Sequence, residues 1–456
     1  MASTRHLTVL GGGLAGLATA HFARQAGAVA TVYEADAQPG GICRTVRWGE
    51  FLVDTGAHRL HDQDEEITRE WRALLGDHLE RVEAPSEIWV DGKRLAFPLS
   101  AVDLMFRLGP RVCARAGWDV VRERLHPREV ENFEQLSLRR YGTTLANLVL
   151  LNYSEKLWGV PCRELSTAVS GKRLQGLSLA GLLREALLGR RGAPHHLEGA
   201  FYYPRFGIGE LTSALVASCG RENLSLESRV GRIEHADGRI VGVAIGRAPA
   251  APVDDVVSTI PLGALIEVLE PPPPAEIRRL AASLRSRGVI VVALFLARGR
   301  VLPNATTYFP AREFPFTRVS EPINRSAAMA PPGHTSLVAE IPAQPEEALW
   351  RRPDRELSSE VSGLLGRLGW VRATEIVGSA VVRLPRAYPL LTLEARAAAA
   401  AITAYLSRFR NLAVVGRSGR HAYAFIHGVM REALTAVGAL LGDERDVPRV
   451  RRAVSA

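Results

Sequence analysis

The stretch Leu7 to Ala20, LTVLGGGLAGLATA, followed by ATVYEAD at Ala30 to Asp36, restricts what this chain can fold into more than any other feature. Leu7, Val9 and Leu10 read as a buried parallel strand. Gly11, Gly13 and Gly16 then stand in G-x-G-x-x-G register. The first permits a tight strand-to-helix turn, the second lets backbone approach a pyrophosphate, and the third lets the helix sit close to the sheet. Leu14 and Ala15 open a helix of small residues, whose N-terminus offers N–H groups and a positive dipole end to phosphate. Thr31-Val32-Tyr33 is a second strand. Glu34 ends it about twenty residues beyond the glycines, where a carboxylate accepts from both ribose hydroxyls of an adenosine and repels a 2′-phosphate. A glycine triplet alone is weak evidence; between two strands, with the acid at this distance, it predicts an α/β dinucleotide-binding unit.

The next residues choose among dinucleotides. Asp36 to Thr45 read DAQPGGICRT. The pair Gly40-Gly41 followed by Arg44 and Thr45 is not needed for a nicotinamide dinucleotide. It resembles the flavoprotein segment where the chain crosses the pyrophosphate and an arginine meets it as a charge-assisted donor. Here the chain is similar to the superfamily of FAD proteins that includes flavin amine oxidases, protoporphyrinogen oxidases, carotenoid desaturases and UDP-galactopyranose mutases. The resemblance implies FAD lying extended through the domain, with adenine near Glu34 and the isoalloxazine at a domain boundary. It also implies that backbone at Val230 passes against adenine.

At 456 residues and 47% hydrophobic content the chain can bury a large core and should hold more than one domain. The expected fold is α/β: a doubly wound, Rossmann-like FAD domain over 1–70, 200–288 and 405–456, interleaved with a mixed α+β substrate domain over 71–199 and 289–404. Leu104 to Leu125 and Asn132 to Leu151 read as helices. Leu224 to Gly246 reads as two strands around the hairpin Ala236-Asp237-Gly238-Arg239. Asp255 to Pro261 reads as a return strand, and Val289 to Arg298 as the floor of a substrate sheet. The net charge of +9 comes from arginine, since lysine stands only at Lys93, Lys156 and Lys172. The arginines are scattered rather than interleaved with aromatics, which argues against nucleic acid. The Leu104 to Leu125 stretch mixes apolar and arginine residues and reads as a solvated helix face rather than a membrane contact. Cys43, Cys113, Cys162 and Cys219 have no metal-ligand spacing, and no metal is expected. The apolar N-terminal run serves as the first strand rather than as a leader, and no run approaches a membrane span, so a reduced cytoplasmic protein is expected.

Three further segments carry the resemblance. DTGAHRLHD at Asp54 to Asp62 is similar to the G-x-H-x-x-H stretch of UDP-galactopyranose mutases, which brings a histidine to the flavin and makes His58 and His61 candidates. YSEKLWGVPCREL at Tyr153 to Leu165, with Lys156, Trp158 and later Arg173, resembles a substrate-domain signature. VGRSGRHAYAFIHGVMREAL at Val415 to Leu434 resembles the C-terminal flavin motif. There Gly416 and Arg417 would meet the pyrophosphate and ribitol, and a helix from about Gly428 would face the flavin. The chain also departs from its relatives. Amine oxidases of this kind carry a lysine near flavin N5 in the substrate domain, and this chain has no lysine after Lys172. The mutases place an aspartate two residues after the tyrosine that matches Tyr423, where Phe425 stands here, and His421 replaces another tyrosine. Of the arginine pair that clamps a nucleotide diphosphate in mutases, Arg173 and Arg318 are the candidates.

The resemblance implies an FAD-dependent oxidoreductase that moves a hydride from a small or medium organic substrate to flavin N5. The electrons would pass on to oxygen, a nicotinamide cofactor or another acceptor. His58, His61 and Tyr423 are the ionisable candidates, and Trp158, Arg173 and Arg318 the substrate candidates. The alternatives are a redox-neutral flavin mutase acting on a nucleotide sugar, and a flavin-binding partner protein without catalysis.

Overall fold

The computed structural model describes residues 5–99, 101–127, 129–170 and 200–442. Its first layer is a five-stranded, all-parallel sheet in the order Leu412–Val414, Asp255–Ser258, His6–Leu10, Val29–Tyr33, Leu224–Ser225. The central strand is buried from Leu7 to Leu10, as a parallel strand covered on both faces must be. On one face lie the helices Leu14–Gln25, Gly209–Cys219 and Ile426–Leu441, whose Leu17, Leu215 and Met430 share a core with Leu7 and Val9. On the other face lie Leu262–Glu267, Ala275–Ser283 and Leu393–Leu406, together with the hairpin sheet. Their Leu265, Ala281 and Ile402 share a core with Leu10, Val230 and Val256. The hairpin joins Val230–Ala236 to Arg239–Ile245 through Asp237 and Gly238, both at positive φ, as a two-residue turn between right-twisted strands requires.

The second sheet has seven strands, in the order Ile376–Pro389, Ser286–Leu296, Thr335–Pro342, Arg318–Ser320, Thr306–Tyr308, Ser86–Val90, Lys93–Phe97. Ser286–Leu296 is paired antiparallel on both sides and alternates between two cores. Ile290, Val292 and Leu294 face one, and Val289, Val291, Ala293 and Phe295 the other. This explains why the strand reads as a continuous apolar run.

The helical expectations are adjusted at their ends. Leu104 to Leu125 is two helices, Ala101–Leu108 and Pro110–Leu125, broken at Gly109 with φ +87° and by the proline that follows it. Asn132 caps Phe133–Leu145 by accepting from Gln135 N at 3.0 Å. A π-turn over Ala146–Leu151 then leads into Asn152–Trp158, which ends at Gly159 in the left-handed region. The C-terminal helix starts at Ile426, two residues before the expected Gly428. Among the described residues no helix is long and apolar enough to cross a membrane.

Candidate active site

Three backbone segments converge at the N-terminus of Leu14–Gln25. Gly11 sits at φ +102°, and a Cβ on Gly16 would stand 1.8 Å from Gly11 O, so strand and helix pack at glycine distance. Gly13 is the N-cap and lends no side-chain bond, which leaves the first-turn N–H groups around Leu14, Ala15 and Gly16 for a ligand. The Gly40-Gly41 segment lies alongside: Gly40 N donates to Gly12 O at 2.8 Å, and a Cβ on Gly41 would come within 3.3 Å of Gly13 Cα. From the far end of the chain, Gly416 reaches the same helix, where a Cβ would stand 2.6 Å from Ala15 Cβ. A slot walled by bare backbone at a helix N-terminus fits a pyrophosphate. Arg44 borders it, with its stem against Gly40 and a loose 4.0 Å ion pair to Asp36. The Glu34 carboxylate ends the second strand, held by Gly12 N at 2.6 Å and Asp36 N at 2.9 Å, one oxygen each. Each oxygen keeps a lone pair for a ribose hydroxyl. Ser228 N donates to Glu34 O and leads to Val230, the buried first residue of its strand. The cradle thus has the parts a dinucleotide with an unphosphorylated ribose needs.

His58, His61, Trp158, Arg318, Arg417 and Tyr423 all line one cavity of about 270 Å³ beside this cradle. Most of the remaining wall is apolar or aromatic, including Leu99, Phe133, Leu157, Tyr308 and Tyr388. Arg173 lies outside the described residues. Two residues that sequence reasoning missed organise the wall. Glu340, inside the buried strand Thr335–Pro342, accepts from Arg318 Nη2 at 2.5 Å and from Ala57 N at 2.9 Å. Tyr388, from the long strand Ile376–Pro389, has its hydroxyl 3.1 Å from the same Arg318 nitrogen. Arg318 is therefore enclosed in a buried network. Burial alone would lower its pKa, but Glu340 beside it holds it well above the ordinary arginine value.

Several assignments change in consequence. Arg318 gives its Nη2 to Glu340 and Tyr388, so part of the proposed diphosphate clamp is paired with a carboxylate of the wall. Arg417 was expected at the pyrophosphate, yet its guanidinium lies over the rings of Tyr388 and Tyr423, at 5.5 and 5.3 Å. It donates to the carbonyls of Ala424 and Ala387, so it belongs to the cavity wall. Its neighbour Gly416 is the residue at the cradle. His58 lies 2.8 Å from Ile42 O through Nε2, a contact that only an Nε2–H donor satisfies. Burial first, then the charges of Arg417, Arg318 and Arg325, lower its pKa to about 3. It is a neutral imidazole and holds no second proton at neutral pH. Trp158 is buried and packs edge-on to Tyr388, so core packing and cavity lining coincide there. Lys156 is not in the cavity. Its Nζ lies within hydrogen-bond distance of the carbonyls of Phe309, Ala311, Phe314 and Phe316, which share its three N–H donors, and pins that loop. His61 stands edge-on to Phe201 and Phe425. Among the described residues no group of His, Cys, Asp or Glu is arranged to hold a metal.

The fold is shared with solved proteins. A reduced UDP-galactopyranose mutase superposes with a TM-score of 0.82 at 21% identity, over 96% of each chain. A protein assigned as a protoporphyrinogen oxidase from Exiguobacterium gives 0.75 at 19% identity, over 96% of this chain and 99% of the other. Cyclohexylamine oxidase from Brevibacterium oxydans gives 0.66 at 15%, over 96% and 99%. These identities speak for the fold and not for a reaction. The family model for flavin-containing amine oxidoreductases matches residues 14–441, nearly the whole chain. With FAD as the dinucleotide of its glycine cradle, the chain belongs to the flavin-containing amine oxidoreductase family.

Proposed function

We propose that the protein is an FAD-dependent oxidoreductase that takes a hydride and a proton from a small or medium, largely apolar organic substrate held in this cavity. The observation that carries the reading is Arg318: its charge is closed on Glu340 and Tyr388, and the wall around it is aromatic and aliphatic. Such a wall selects neutral substrate surface, because a charged group entering it loses its hydration. Bound FAD supplies the hydride acceptor, which oxygen or another acceptor then reoxidises. The protein binds, orients and dries the site. Trp158, Tyr388 and Phe133 press on the substrate. Neutral His58 presents Nδ1 as an acceptor lone pair, since Nε2–H is spent on Ile42. The positive charge of Arg417, which donates to the carbonyls of Ala387 and Ala424, disfavours an ammonium, so an amine substrate enters as the free base. His61 and Tyr423 are the ionisable wall residues proposed to pass on the substrate proton.

A second reading is a redox-neutral mutase for a nucleotide sugar. It is supported by the meeting of His58, Trp158, Arg318 and Tyr423 in one cavity. Anaerobic mixing separates the two. Substrates of the first class bleach the flavin without added reductant. Turnover of UDP-galactopyranose only after prior reduction with dithionite, with no bleaching by amines, alcohols or other reduced organic compounds, would overturn the oxidoreductase reading.

A further inference from the structure

The two helices Ala101–Leu108 and Pro110–Leu125 turn apolar bulk outward. Phe106 is 84% exposed, Leu125 68% and Trp118 66%, and Met105 and Val121 are also exposed. Of the twelve large apolar side chains exposed among the described residues, these five fall within 105–125, so the exposure is concentrated rather than scattered. Trp118, Val121 and Leu125 follow the helical spacing that puts them on one side. Charge is segregated as well. Arg107, Arg111, Arg115 and Arg122 are exposed. The acids of the same helices turn elsewhere. Asp119 and Glu123 are buried, with Asp119 accepting from Thr144 N, and Asp103 is bound by Arg107 and Ala96 N. Along these two helices large apolar groups and arginines are thus exposed together, and no acid among their described residues is exposed. The chain entering and leaving it, at Leu99 and Phe133, also lines the apolar cavity.

We propose that this face docks on an anionic lipid bilayer. Met105, Phe106, Trp118 and Leu125 enter the acyl boundary, while Arg111, Arg115 and Arg122 meet lipid phosphates. This replaces the expectation of a solvated helix face. Exposed aliphatic groups such as Met105, Val121 and Leu125 gain little from stacking on bases but gain from hydrocarbon, which favours lipid over nucleic acid. The surface lies on the same part of the chain as the cavity wall, so an apolar substrate would be supplied from the membrane side.

The test is sedimentation of the FAD-loaded full chain with phosphatidylcholine vesicles, with and without about one third phosphatidylglycerol. Binding is expected to the anionic vesicles and to fall with salt. The pair Phe106→Ser and Trp118→Ser, both at exposed positions, should weaken it at least about tenfold. The triple change Arg111→Glu, Arg115→Glu and Arg122→Glu should weaken it by about a hundredfold or more. Flavin content and melting temperature serve as controls that both variants remain folded. No binding to anionic vesicles, or binding that survives both variants, overturns the proposal. So does a dimer without lipid that Phe106→Ser with Trp118→Ser converts to monomer, because a second copy would then cover the face. Retention on an oligonucleotide in place of vesicles overturns it equally.

Discussion

Replacing Glu340 by Gln tests whether the cavity wall is held by one buried carboxylate. Glu340 is almost fully buried and serves two donors, Arg318 Nη2 at 2.5 Å and Ala57 N at 2.9 Å. A glutamine has one acceptor oxygen there and one NH2 group. If the oxygen faces Arg318, the NH2 meets the Ala57 N–H; if it faces Ala57, the NH2 meets a guanidinium. Either rotamer leaves a buried donor without an acceptor and a buried arginine without its counter-charge. Breaking a buried ion pair from one side costs about 3–5 kcal/mol. The second change, Arg318→Met, removes the uncompensated charge. In the Glu340→Gln, Arg318→Met protein the glutamine oxygen can serve Ala57 alone, so about 2 kcal/mol or more should return. Urea unfolding of the FAD-loaded proteins gives the four corners of the cycle. If Glu340→Gln costs less than about 1 kcal/mol, the amount typical of a single solvent-compensated hydrogen bond, the carboxylate does not organise the wall. The same holds if adding Arg318→Met makes matters worse by its full single-mutant cost.

Two further outcomes follow from buried polar groups. Lys156→Met strips the donor from the carbonyls of Phe309, Ala311, Phe314 and Phe316, and should cost about 3 kcal/mol or more; limited proteolysis should then cut the 309–316 loop, and an unchanged melting temperature together with unchanged proteolysis would refute the pinning role. His58 protonates near pH 6.5 when unfolded and near 3 when folded, so the unfolded chain binds more protons between these values and stability falls as pH drops through that window, by about 1.4 kcal/mol per unit at most. His58→Gln keeps a donor for Ile42 O and does not titrate, so the acid slope of urea stability should flatten; an unchanged slope refutes the buried, neutral assignment.

The cofactor half was legible because its chemistry is carried by backbone. Gly11 and Gly16 mark places where only a hydrogen fits, Gly13 keeps the helix N-terminus bare between them, and Glu34 follows at a distance fixed by one helix and one strand. Such constraints are local and survive translation from sequence to structure. The cavity was legible as a list of residue types but not as a set of partnerships. Arg318 was a candidate for a diphosphate clamp only through the resemblance to the mutases' arginine pair. Its true partner, Glu340, lies 22 residues away on another strand of the second sheet. The signal was present: in TSLVAEIP, a strand buried throughout, one carboxylate breaks an apolar run. A charge in such a strand must be paired, but sequence does not name the partner. The direction of Arg417 was hidden for a similar reason. The residue after a strand-end glycine can point either way, and the rings of Tyr388 and Tyr423 decide the direction. In the helices of 101–125 the sequence showed apolar residues mixed with arginines, but not which of those apolar residues the fold would cover and which, such as Phe106 and Trp118, it would leave exposed.

The cavity wall draws on widely separated stretches, among them Ala57 and His58, Trp158, Arg318, Glu340, Tyr388, and Arg417 with Tyr423. Ala57 and His58 follow the segment that crosses the glycine cradle, whereas Glu340 and Arg318 belong to the seven-stranded sheet. The Ala57 N–H to Glu340 bond is thus a joint between the layer that holds the cofactor and the layer that shapes the cavity. The joint explains why the acid is kept where an apolar residue would pack with less risk. A buried ion pair contributes little net stability over a well-packed apolar substitute. What it contributes here is direction: two donors from two layers fixed on one carboxylate, which sets the spacing between the cofactor loop and the substrate wall.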